Sequence, residues 1–162
     1  RTYMHSMDYR DDLAFWHATK LAVPNSAKAH LNYSVMVGAR GDLNTRLVES
    51  KVAMQLAPKW AMAHIYTGDT LCRLHRSKEA WPYYAKGFDL GPNDRSLISL
   101  ALQCLFDEKT LTPHDAELRA LAEKHPGSWI AYLAIDTLNN HVKNKGVDPK
   151  YRPRGYNEGP KD

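Results

Sequence analysis

Most of what this sequence lacks excludes a class of protein. Its 162 residues include two cysteines, Cys72 and Cys104, too few for a small scaffold stapled by disulfides. Long apolar runs are missing. The longest, residues 97–106, is broken by Ser99 and Gln103 and is too short to cross a bilayer. No charged-then-apolar opening reads as a signal peptide. Net charge is only +4, and +3 of it sits on residues 142–162, which leaves a near-neutral body. No nucleic-acid partner is expected from such a balance. The chain opens on Arg1 rather than methionine, so it is read as a piece of a longer parent. What is present is ordinary: 43% apolar and 25% charged residues suit one domain with a real core.

The nine prolines are not scattered at random. Pro24, Pro58, Pro92 and Pro126 are separated by one constant step. Two residues after each come Ser26, Trp60, Asp94 and Ser128, three of which are good helix N-caps. The step predicts a helix that stops once per interval, a proline that blocks its continuation, and a newly capped helix. Its length is that of a helix–turn–helix repeat, about 34 residues.

On these residues the chain resembles the tetratricopeptide repeat (TPR) family. Full repeats fall at 27–60, 61–94 and 95–128, with half-repeats at 9–24 and Trp129–His141. The second fits best, with Gly68 in the small slot where helix A meets helix B, and Leu71, Ala80, Tyr84, Leu90 and Pro92 in place. Gly87 stands where alanine is usual. The first keeps Gly41-Asp42, Ala53, Leu56 and Pro58 but departs at Ser34 and at Arg46, where a small residue is expected. In the third, Thr112-Pro113 reads as a cap followed by the first helical residue. The resemblance implies an all-α, right-handed solenoid over residues 1–141, its concave face lined by A helices. Residues 142–162, rich in Pro, Gly and Lys, read as a tail. Tyr151 and Tyr156 are its expected anchors on the solenoid or in its groove.

A narrower likeness lies near the start. Arg10-Asp11-Asp12, Phe15-Trp16, Asn25-Ser26-Ala27-Lys28 and Asn32 resemble the opening of the TPR array in O-mannosyltransferase-type membrane proteins. That resemblance implies an extracytoplasmic accessory domain, tethered to a membrane only through parent segments that lie outside this chain.

Candidate chemistry is thin. His30 and His64 share one repeat slot and are expected to be structural. Cys72 and His75 have C-x-x-H spacing, but no second pair completes a metal site. Cys72 and Cys104 miss a shared repeat slot by two positions and are expected to face different ways as free thiols. Asp11-Asp12, Asp107-Glu108 and Asp115/Glu117 suit helix ends or solvation better than acid–base work. Arg40-Gly41-Asp42 is the repeat's own turn, and the sequon Asn32-Tyr33-Ser34 falls mid-helix. No catalytic residue, cofactor or metal is assigned.

The resemblance assigns groove slots. The first repeat supplies Lys28, Leu31, Asn32, Val35, Gly38 and Ala39, and the second Met62, Ile65, Tyr66, Asp69, Cys72 and Arg73. The third supplies Ser96, Ser99, Leu100, Gln103, Phe106 and Asp107. The expectation is a non-catalytic scaffold that holds a peptide or partner helix. Met62, Tyr66 and Phe106 would anchor it, and Asn32, Asp69 and Arg73 would orient it. Self-association through exposed half-repeat ends is the third reading.

Overall fold

The computed structural model describes residues 9–141 and 149–153, with side chains placed for 12–139 and 150–153. The described residues form α-helices and no strand. In order these are α1 (Tyr9–Ala22), α2 (Ala27–Ala39), α3 (Leu43–Leu56), α4 (Ala61–Arg73), α5 (Ser77–Leu90), α6 (Arg95–Asp107), α7 (Asp115–Lys124) and α8 (Trp129–His141). Each of α1 to α5 packs on the next, and α7 packs on α8. Along the stack α4 lies beside α6, and α6 beside α8. This is the packing of a helical repeat.

The proline period reappears as geometry. Ser26 Oγ accepts the Ala29 N–H at 3.2 Å, Asp94 Oδ1 the Leu97 N–H at 3.2 Å, and Ser128 Oγ the Ala131 N–H at 3.3 Å. Trp60, the odd residue in that series, makes no side-chain cap. His30 Nε2 donates to the Pro24 carbonyl at 2.8 Å, and His64 Nε2 to the Pro58 carbonyl at 2.7 Å. The two histidines thus tie each proline turn to the helix that follows it. The turns that leave α2, α4 and α6 share a left-handed residue at the same register: Gly41 (φ 90°), His75 (φ 62°) and Lys109 (φ 58°). Glycine adopts that conformation without a steric cost, and the two later repeats use bulkier residues there.

Close approach explains two small residues. A Cβ on Gly68 would lie 2.8 Å from the Tyr84 ring, so its slot lets α5 press against α4. A Cβ on Gly38 would lie 2.4 Å from Arg46 Cδ. Gly38 therefore makes room for the Arg46 side chain. The main core runs through Ile65, Leu71, Tyr84, Phe88, Ile98, Leu105, Leu118 and Leu138. A smaller cluster of Leu31, Ala53 and Ala63 adjoins it.

Two expectations change, and a third, the docking of Tyr151, is narrowed to one side of α8. The third repeat enters its second helix through a 3-10 turn at Thr112–His114, and the α-helix begins at Asp115. Cys72 and Cys104 are not free thiols; they form a disulfide with Cα atoms 6.4 Å apart. The two-position shift that suggested divergence is what joins them. It turns a side chain by roughly 160° on a helix, and on side-by-side helices opposite flanks face each other. Tyr151 does dock, but on the far side of α8 from the cleft between α6 and α8 described below. It packs on Ala122, Ala131 and Ile135, and its hydroxyl donates to Glu123 Oε1 at 3.1 Å. Tyr156 lies outside the described residues.

Candidate functional site: a furrow along α6

Two clefts flank α6. The first, about 320 Å³, lies between Ser99, Leu102, Gln103 and Phe106 of α6 and Leu133, Asp136 and Thr137 of α8. The second, about 290 Å³, lies between Asp69 and Arg73 of α4 and Leu100, Gln103, Cys104 and Asp107 of α6. Gln103 lines both, so the two clefts adjoin at that residue, one facing α8 and the other α4, and together they are called the furrow. The disulfide fastens α4 to α6 beside the second half. Gln103 Nε2 donates to Asp107 Oδ1 at 2.8 Å on the dividing ridge.

The α4 wall is held by a buried charge cluster. Asp69, 0% exposed, accepts from Arg46 Nη2 and Arg73 Nε, both at 2.9 Å, and from the Tyr84 hydroxyl at 3.4 Å. Burial, reinforced by the Asp69 charge, pushes the Tyr84 hydroxyl far above its ordinary range, so it stays protonated and donates. Asp136 stands in a different setting. Burial alone pushes its carboxyl upward, and no donor or cation among the described residues meets it.

The expected groove residues separate into four groups. Arg73, Gln103 and Phe106 line the furrow, and Phe106 is 43% exposed. Ile65 and Asp69 are buried: Ile65 packs against Gly87, and Asp69, although it borders the α4–α6 cleft, is enclosed by its arginines. Met62 and Tyr66 are half-buried where the two core clusters meet, and the Arg46 guanidinium lies 5.4 Å from the Tyr66 ring centre. Lys28 is exposed, and Asn32 and Val35 are half-buried, on α2 away from both clefts. Sequence reasoning missed Leu133, Asp136 and Thr137. The signal was available, because they stand one repeat step after Ser99, Leu102 and Gln103.

The other candidates are occupied. Cys72 is held in the disulfide, so its C-x-x-H pairing with His75 has no free thiol. Glu108 takes His75 Nδ1 at 2.6 Å, Asp115 takes Arg119 Nε at 2.7 Å, and Glu117 takes Trp81 Nε1 at 2.5 Å. Asp42 caps α3 by accepting the Thr45 N–H, and bonds from the Thr45 side chain and N–H lower its carboxyl. Ser34 is buried with its hydroxyl on the Leu31 carbonyl. Between α5 and α7 lies another opening, but its Asp89 is paired with Lys124 and His125, each at 2.7 Å. No described helix is long and apolar enough to cross a membrane.

No protein-family model matches the chain, and no curated protein matches it.

Proposed function

We propose that the chain is a TPR-type scaffold, a right-handed solenoid that binds an extended partner segment along the furrow of α4, α6 and α8. The observation that carries this is the pair of clefts that meet at Gln103, one against α8 and one against α4. Apolar walls with a few convergent polar groups are how peptide grooves combine anchorage and orientation. Phe106 and Leu133 supply area, Gln103 offers an amide donor and acceptor, and Asp136 supplies charge. The chemistry of this surface is recognition, not turnover. The disulfide supports a further part of the reading, placement in an oxidising, extracytoplasmic compartment. Self-association also has one observation in its favour, since α1 leaves Phe15 and Leu21 more than half exposed at the N-terminal end of the stack.

The test is selection of extended peptides from a random library against the intact chain. Gln103→Arg and Phe106→Ala should each weaken the selected peptides at least tenfold with helicity unchanged. Peptides that bind both variants as well as the original would move the site to another face.

A further inference from the structure

The half of the furrow between α6 and α8 carries a more specific message than apolar recognition. Its walls are Leu102, Phe106 and Leu133, and its polar rim is Ser99, Gln103 and Thr137. Thr137 is satisfied locally, donating to the Leu133 carbonyl at 2.7 Å, and Gln103 donates to Asp107. Asp136 is the exception. Its carboxylate is half-buried in the cleft, and no described donor or cation meets it. Desolvation raises its proton affinity, the mark of an acidic group that lacks a counter-charge. Such a group is costly when desolvated alone and favourable beside a cation.

Charge around the furrow points the same way. Arg73 is committed to Asp69, whose second partner is Arg46. Asp107 and Asp136 then leave the accessible furrow acidic, on a chain whose net charge is +4. The cleft is lined for a side chain that is apolar along its stem and cationic at its tip.

We propose that the α6–α8 cleft receives a lysine or arginine side chain of an extended partner polypeptide, its alkyl stem along Leu102, Phe106 and Leu133 and its charged head on Asp136. This rests on reading the furrow as a peptide groove. It adds a requirement for a basic residue at one position of the bound segment. A charge-assisted bond to a desolvated carboxylate supports a preference of about tenfold or more over an isosteric apolar side chain.

The experiment uses the full chain, isotope-labelled, and three probes. These are the blocked pentapeptides acetyl-Gly-Ala-Lys-Ala-Gly-amide, its arginine counterpart, and its norleucine counterpart. The expected result is amide shifts at Ser99, Gln103, Leu133 and Thr137, and a fall in the titration midpoint of the Asp136 carboxyl carbon on adding a basic probe. Affinity for the norleucine probe should be weaker by about tenfold. Asp136→Asn, which keeps the shape, should abolish the preference and keep the thermal midpoint. Equal binding of lysine and norleucine probes at this cleft would overturn the cation site and leave the groove reading standing. Shifts confined to other surfaces, or no binding of any probe, would overturn both. A carboxyl carbon that titrates low with no probe added would show that the chain's own cation already fills the site, which also overturns the proposal.

Discussion

Replacing Asp69 by alanine should be among the most damaging single changes this fold can suffer. The carboxylate is 0% exposed and is the shared acceptor for Arg46, Arg73 and Tyr84, which come from α3, α4 and α5. The three partners lose unequal amounts. Arg73 keeps half its side chain in water, so its share is small, about 0.5 kcal/mol. Tyr84 loses a hydrogen-bond acceptor, worth about 1 kcal/mol. Arg46 dominates, because its side chain is 9% exposed, its Nε already has no partner, and Asp69 is its counter-charge. Leaving a buried charge uncompensated costs about 3–5 kcal/mol. The expected loss is therefore about 4.5–6.5 kcal/mol, a large share of the total stability of an ordinary domain. Urea unfolding followed by circular dichroism and tryptophan fluorescence measures it. The double variant Arg46→Met with Asp69→Ala should recover about 2 kcal/mol or more relative to the sum of the single changes, because the orphaned charge is gone. A loss below about 1 kcal/mol for Asp69→Ala, or strict additivity in the cycle, would refute the reasoning.

Gly38→Ala should destabilise the native chain by about 1–3 kcal/mol, because the new methyl meets an Arg46 side chain pinned by Asp69. In an Arg46→Ala background the same change should reverse sign and stabilise α2 by up to about 1 kcal/mol, again read by urea midpoint. Acid should weaken the α1–α3 junction. Burial pulls the Glu49 carboxyl upward, but bonds and charge from His30 and Lys20 outweigh it and hold it below its ordinary value. The stabilising effect of a depressed carboxyl is full above the unfolded pKa and is lost as pH falls through the folded one. The stability gap between the native chain and Glu49→Gln should therefore be constant near neutrality and shrink below about pH 4.5; a gap that stays constant into strong acid would contradict this. Replacing both cysteines by alanine removes a cross-link between positions separated by 32 in sequence and should cost about 3–4 kcal/mol, visible as a lower thermal midpoint that reductant no longer shifts.

The repeat was legible in the sequence because its signals are local and periodic. A proline stops a helix and a hydroxyl or carboxylate two residues later caps the next, wherever the chain lies. So Ser26, Asp94 and Ser128 could be read as caps before any packing was known. Contacts between helices were less legible, because they depend on which flank each helix turns to its neighbour. The disulfide is the clearest case: a register offset taken as separation becomes apposition once α4 and α6 lie side by side. Asp69 is another. Its slot suggested an exposed groove residue, yet the unusual Arg46 on α3 reaches across and closes it off. The anomaly at Arg46 was visible as a departure, but its partner was not, since a single buried charge in sequence does not say which acceptor it finds.

One slot shows how such departures build a site. Read once per repeat step, it holds Ser34, Gly68, Leu102 and Asp136. Where the residue is small, helices close tightly: Ser34 and Gly68 are buried, and Gly68 admits the Tyr84 ring. Where it is larger, Leu102 is still buried at 2% exposure and Asp136 is half-buried, and both belong to the lining of the α6–α8 cleft. A leucine and an aspartate are poor choices for tight apposition of two helices, and the aspartate carries the additional cost of a carboxylate without a partner. That cost falls on the furrow half whose walls are apolar and whose Gln103 and Thr137 already have partners. A position that departs from the repeat's packing rule and leaves a charge unmatched is better explained by what enters the cleft than by the stability of the stack.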